Sequence, residues 1–130
     1  MTSATQRNLD AVRRYTAGDH DAAVLAPDAA FVDVTTGRRW TGANEIAAML
    51  DGMYRVAFDA RVEEPRLVAD ADAVVLEATF VGRHIGEFAG VAATGVEVRV
   101  PLVVVYDLAD GVIRGARIHF DVASFLRQVG

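Results

Sequence analysis

From residue 73 onward the chain alternates in character. Leu76, Ala78, Phe80, Gly82, His84, Gly86 and Phe88 fall on one side of an extended strand, and Glu77, Thr79, Val81, Arg83 and Glu87 on the other. Successive side chains of a strand point to opposite faces, so a period of two sustained this long requires a half-buried strand and is incompatible with a helix. One face is apolar or small, with His84 as its one ionisable member. Four extended runs occupy this half of the chain, at about 58–68, 73–88, 95–108 and 112–120. Turn-forming segments separate them at Ala69 to Asp72, Gly90 to Gly95 and Asp110-Gly111.

The first half reads differently. Ser3 and Gln6 have the spacing of a capping box, and Leu9, Val12 and Tyr15 then recur at helical spacing, with Gly18 placed to end the helix. A short second helix is expected at about Asp19 to Leu25, stopped by Pro27. Residues 29–36 read as a strand and Arg38 to Trp40 as a short extended piece. Thr41 can cap a third helix with an apolar stripe of Ile46, Met49, Leu50 and Met53. A last short helix begins after Asp121, which can cap it with Ser124 three residues on, and carries Phe125, Leu126 and Val129. Helices first and an antiparallel meander later is an α+β pattern.

The chain has 130 residues and suits a single domain, 1–130, with 52% hydrophobic residues to build its core. A formal net charge of -5 argues against nucleic acid and anionic membrane surfaces as partners. With no cysteine, neither disulfides nor cysteine-ligated metals contribute. Met1 to Asp10 lacks the apolar core of a signal peptide, and no uncharged run approaches a membrane span. A cytoplasmic location is therefore expected.

The last hairpin admits two registers. A two-residue loop at Asp110-Gly111 puts Val103 and Val105 with Ile118, and Leu102 and Val104 with Arg117 and His119. A three-residue loop, Ala109-Asp110-Gly111, aligns Val100, Leu102, Val104 and Tyr106 with Ala116, Ile118 and Phe120. The second gives one consistent apolar face and is preferred. Arg117 and His119 then face outward beside Pro101, Val103 and Val105, a face apolar enough to pack on a second copy of the chain.

The stretch Gly82-Arg83-His84-Ile85-Gly86-Glu87-Phe88-Ala89-Gly90, then Thr94-Gly95, Asp110-Gly111-Val112-Ile113, Asp121 and Leu126-Arg127-Gln128-Val129-Gly130, resembles the SnoaL-like polyketide cyclase family, within the nuclear-transport-factor-like superfamily that also holds ketosteroid isomerase and limonene epoxide hydrolase. The resemblance is clearest over the last fifty or so residues; Pro27-Asp28 and Thr41-Gly42 extend it. It implies a conical barrel of N-terminal helices packed on a strongly curved, mainly antiparallel sheet. It also implies a deep apolar pocket, a homodimer, and no metal or organic cofactor. The motifs do not fix the reaction, because the superfamily hosts isomerases, hydrolases, cyclases and binding modules. The sequence also departs from the cyclases. Aligned on Asp121, their catalytic acid falls at Ile118, their partner histidine at Val104 and a pocket asparagine at Phe31.

Of the polar groups that remain, His84 is the sharpest, since an imidazole suits proton transfer near neutral pH; the alternative is a core histidine bonded to backbone. Asp33 shares a side with Phe31 and can serve as a base in such a pocket; the alternative is an exposed strand-end carboxylate or one paired with Arg38 or Arg39. Tyr106, on the inner face, can donate to a substrate carbonyl. Tyr54 can do the same, although aromatics at such spacing are more often wall. Trp40 is placed to close the mouth, and Met49, Met53, Phe58, Leu76, Phe80, Leu102 and Phe120 to line the interior. His119 and Asp121 form a His-x-Asp pair, but the preferred register turns His119 outward. His20, between Asp19 and Asp21, reads as a solvated residue. The expectation is a cofactor-independent acid–base enzyme acting on a hydrophobic oxygenated small molecule, with His84, Asp33 and Tyr106 as its chemical groups. The alternative is a non-catalytic small-molecule binding protein on the same scaffold.

Overall fold

A computed structural model describes residues 3–17 and 20–130. Helix α1 spans Ser3–Thr16 and buries Leu9, Ala11, Val12 and Tyr15 along one face. Gln6 does not complete a capping box; its amide donates to Asp10 one turn on, at 2.9 Å. Gly18, the expected helix terminator, lies outside the described residues. The expected second helix is one 3-10 turn, Ala22–Val24, capped by the Asp21 carboxylate at Ala23 N.

Strand β1 runs Leu25–Asp33 and includes Pro27. It stops short of residue 36 because Asp33 closes a tight turn: Gly37 N donates to Asp33 O at 2.7 Å and Asp33 N to Arg38 O at 2.9 Å. Strand β2, Arg39–Thr41, returns beside it. Helix α2, Ala43–Asp51, starts from Gly42 at φ 84 without a side-chain cap. Glu45 serves there instead, accepting the Thr41 backbone N–H at 3.2 Å. The helix then widens into a π-helical turn over Gly52–Ala57, which carries Met53 and Tyr54.

Strands β3 (Phe58–Ala69), β4 (Ala73–His84), β5 (Glu97–Ala109) and β6 (Val112–Phe120) follow, and helix α3 (Val122–Val129) ends the chain. Asp121 caps α3, accepting from Ser124 N at 3.1 Å. The six strands lie in the order β2-β1-β6-β5-β4-β3. Only β1 and β6 pair in parallel. The sheet is strongly curled but does not close. Its edge strand β3 is interrupted by a bulge between Glu63 and Arg66, with Glu64 at φ 56 before Pro65. Such an interruption discourages pairing with another chain.

The β5–β6 register puts Leu102, Val104 and Tyr106 opposite Phe120, Ile118 and Ala116. The face is the one the apolar pattern demands, but the loop differs from the expected one. Ala109 pairs with Val112 across Asp110 (φ 51) and Gly111 (φ 79), a two-residue turn with both central residues left-handed. The frame shifts at a bulge instead: Leu108 opposes Ile113 while Asp107 opposes Gly115, leaving Arg114 as the extra residue.

Asn8 joins α1 to the sheet. It is fully buried, its amide donates to Asp70 O and Ala71 O at 3.2 and 2.9 Å, and its oxygen accepts from Gly111 N at 2.9 Å. One side chain thus satisfies backbone groups in both hairpin turns, β3–β4 and β5–β6. Among the described residues, no helix is long and apolar enough to cross a membrane. Asn8→Ala leaves three backbone groups at this junction without their partner. The expected cost is about 3 kcal/mol, read as a lower urea midpoint; a midpoint within error of the parent would show that the turns hold α1 without it.

Candidate functional site

The inner face of the sheet is built from rows of paired residues. Trp40, Phe31, Ala116, Tyr106 and Val74 form one row across β2, β1, β6, β5 and β4, and Asp33, Ile118, Val104 and Leu76 form the next across the last four of these strands. Phe31, Phe58, Leu76, Phe80, Leu102 and Val104 are buried, as is Phe120. Trp40, Met49, Met53, Tyr54 and Ile118 are half-buried and pack against them. Phe31, Val104 and Ile118 thus bring apolar side chains to the inner face.

The interior is occupied by a continuous train of rings. Tyr15, from α1, lies edge-on to Phe31 at 6.0 Å between centroids and to Tyr106 at 6.3 Å. His20 packs on Tyr15 at 5.1 Å and on Tyr54 at 5.8 Å. Tyr54, from the π-helical turn, continues to Phe80 at 5.3 Å, and Phe80 to Phe58 and Phe120 at 5.1 and 5.2 Å. Beyond them Phe88 and Phe125 close the α3 end against Phe58 and His84.

The chain's three tyrosines therefore gather in one apolar region. Among the described residues no hydrogen bond engages the hydroxyl of Tyr15, Tyr54 or Tyr106. Burial, first, holds all three in the neutral form, raising Tyr54 to about 12 and pushing Tyr15 and Tyr106 up as well. Mutual repulsion adds to it: a charge on Tyr54 would oppose ionisation of Tyr15, and charges on Tyr15 and Tyr54 that of Tyr106. These groups are hydrogen-bond donors at any physiological pH, not bases.

His84 is fully buried. Its Nδ1 takes the hydroxyl of Thr94 at 3.0 Å and the Thr94 backbone N–H at 3.3 Å. With Nδ1 accepting, the ring proton resides on Nε2. That nitrogen has no hydrogen-bond partner among the described residues, and the imidazole packs against the rings of Phe58 and Phe125, with centroids 5.4 and 5.0 Å apart. The backbone adds to the clasp, with His84 N donating to Val96 O and Gly95 N to His84 O, each at 2.9 Å. A Cβ on Gly86 would run into the Val56 carbonyl. The Gly-x-His-x-Gly and Thr-Gly stretches thus close a loop onto the sheet.

Asp33 stands on the inner row beside Ile118, but its two carboxylate oxygens take Thr35 N and the Thr36 hydroxyl, each at 3.0 Å. It is half-buried at the turn before β2. Two strands, β6 and β5, lie between its row position on β1 and His84 on β4, and the two do not meet. His119 is exposed on the outer face opposite Val103. The structure therefore gathers Tyr106 and Tyr54, and adds Tyr15 and His20. Sequence reading passed over both: Tyr15 is one of a helical apolar stripe, and the acidic neighbours of His20 disguise a ring that packs inward.

The SnoaL-like polyketide cyclase family matches residues 4–129. No curated protein matches the sequence. Among solved structures, a proposed polyketide cyclase from Silicibacter sp. TM1040 is similar at 23% identity, with TM-score 0.85 and 97% of each chain covered. One from Xanthomonas campestris pv. campestris is similar at 24% identity, with TM-score 0.83 and coverage of 98% of this chain and 99% of that one. A Catenulispora acidiphila protein with a ketosteroid isomerase-like fold, bound to trimethylamine, is 19% identical, with TM-score 0.74 and coverage of 97% and 94%. The fold is the one these proteins share.

Two outcomes follow from the geometry. Because the folded-state value of Tyr54 is raised from 10.0 to about 12, the unfolded chain loses its phenolic protons first. The stability this confers is complete below pH 10.0 and is lost as pH rises toward about 12. Absorbance at 295 nm should show little phenolate at pH 10.0 and then a rise that coincides with unfolding. Gradual ionisation of a folded protein around pH 10.0 would contradict the burial argument. Separately, His84→Phe removes the acceptor that Thr94 uses, with an expected loss of about 2 kcal/mol and faster amide exchange at Thr94. Unchanged stability and exchange would free His84 from this structural role.

Proposed function

This chain belongs to the SnoaL-like polyketide cyclase family, and from that premise we propose that it is a cofactor-independent acid–base enzyme acting on a hydrophobic, oxygenated small molecule such as a polyketide-derived carbonyl compound. The observation that carries this reading is the convergence of three neutral phenols, Tyr15, Tyr54 and Tyr106, in an apolar interior with an imidazole, His20, against two of them. A ligand carbonyl accepts hydrogen bonds from the phenols. Removal of a proton from the adjacent carbon turns that carbonyl into an oxyanion, which the same donors hold more strongly in low-dielectric surroundings. His20 is the nearest imidazole to take up and return the proton. The resulting carbanion either attacks a second carbonyl, closing a ring, or is reprotonated elsewhere, shifting a double bond; donors of this kind also assist epoxide opening.

In this scheme His84 acts through the loop it clasps and Asp33 through its turn. Tyr106 keeps the donor role its inward position suggests. The two-copy arrangement rests on the outer face, where Pro101, Val103 and Val105 lie in line on β5, and sedimentation of a clean monomer would remove it.

A second reading, a non-catalytic binding protein, is favoured by the apolar side chains at Phe31, Val104 and Ile118. Incubation with aromatic polyketones, β,γ-unsaturated ketones and epoxides separates the two. The enzyme reading expects turnover of at least one class, with kcat about 100-fold lower in folded Tyr106→Phe. Thermal stabilisation by these compounds without turnover would select the binding protein.

A further inference from the structure

On the outer face of the sheet, away from the ring-lined interior, a groove of about 370 Å³ runs along β6 between β1 and β5. Its walls carry Arg39, Arg114 and Arg117, with Asp107 as the one acid. We propose that this groove is an anion-binding site for a carboxylate or phosphate group carried on a short, slender body.

The placement follows from register. Val32 pairs with Arg39 on β2 and with Arg117 on β6, so the two arginines flank one residue in a single row. They stand two strand spacings apart, about 10 Å, a separation that lets two extended guanidiniums reach a polyatomic anion between them. Arg114 is the bulged residue of β6 and adds a third cation. Arg117 is already oriented: its guanidinium forks onto Asp107, at 2.5 Å for Nη1 and 3.3 Å for Nη2. Two hydrogen bonds from a planar fork to one carboxylate set its plane and leave other N–H groups to donate. Arg39 and Arg114 have no ion pair or hydrogen bond through their side chains among the described residues.

The groove therefore holds three positive groups against one negative one, in a chain whose formal net charge is -5. Clustered like charges repel unless a counter-anion joins them. The floor is apolar, made by Ala30, Val32 and Gly115. The volume admits an anionic head and a few carbons, in the range of small-ligand sites.

The test uses the whole chain, its Arg39→Ala/Arg114→Ala variant, and two probes, inorganic phosphate and hexanoate, each against sodium chloride of equal ionic strength. Both substituted side chains are exposed, so the variant should fold, as circular dichroism would verify. At least one probe should raise the wild-type unfolding midpoint beyond the chloride control, with its apparent Kd weakened at least ~10-fold in the variant. Whether phosphate or hexanoate gives the larger shift identifies the anion. No shift beyond chloride with either probe overturns the proposal, as does an equal shift in the variant. A variant whose sedimentation differs from that of the parent also overturns it, because the arginines would then be contacts between copies of the chain.

Discussion

The interior depends on a single extra residue in the β5–β6 ladder. If pairing continued from the Asp110-Gly111 turn without interruption, Tyr106 would oppose Gly115, and Val104 and Leu102 would oppose Arg117 and His119. A cation and an imidazole would then share the face that must be buried, at a cost of several kcal/mol for an unpaired charge. The bulge at Arg114 displaces β6 by one position, so that Ala116, Ile118 and Phe120 go in and Arg117 and His119 go out. One irregular residue is a far smaller penalty. The same displacement determines both faces. It brings Tyr106 and Val104 to the ring-lined side, and it places Arg114 and Arg117 along the outer groove.

Helix α1 is positioned by a second constraint, the insertion of Asn8 between two hairpin turns. Because the turns at Asp70-Ala71 and Gly111 belong to the two ends of a four-strand meander, a side chain bonded to both fixes the helix relative to the sheet. Two turns further along α1, Tyr15 then meets Phe31 and Tyr106. The phenol cluster is thus a consequence of where the helix is anchored. The π-helical turn brings Tyr54 from the other side, after α2 has already contributed its own apolar residues to the wall.

Much of this was legible in the sequence, and the reason is periodicity. A strand buried on one face shows that face in every second residue, so the inward positions of Phe80, Val104, Tyr106 and Ile118 could be read from the one consistent apolar face, while that of Phe31 came from the family resemblance. The loop itself could not, because Ala109-Asp110-Gly111 suits either turn and a bulge at Arg114 leaves no mark in composition. The roles of polar residues were the least legible. His84 and Asp33 stand on the correct faces, yet each finds its partners within a dozen residues of chain: Thr94 for one, Thr35 and Thr36 for the other. Local hydrogen bonding of this kind competes with any role in chemistry. His20 erred in the opposite direction. Flanking carboxylates suggest solvent, but its ring packs on Tyr15 and Tyr54.

The chemistry open to such an interior is limited by what is buried. Among the described residues the buried polar or charged side chains are Thr5, Asn8, His84 and Ser124. No carboxylate or guanidinium is among them. An anionic or cationic ligand entering this region would lose its hydration and gain no counter-charge, at a cost that hydrogen bonds from phenols alone do not recover. On the proposed reading a neutral ketone or epoxide loses little on entry, because its oxygen has Tyr15, Tyr54 or Tyr106 as donors. Negative charge that develops only during reaction is a different case. It appears where neutral donors already stand, with no reorganisation of solvent. On the two proposals made above, neutral oxygenated molecules suit the interior and anions the outer groove.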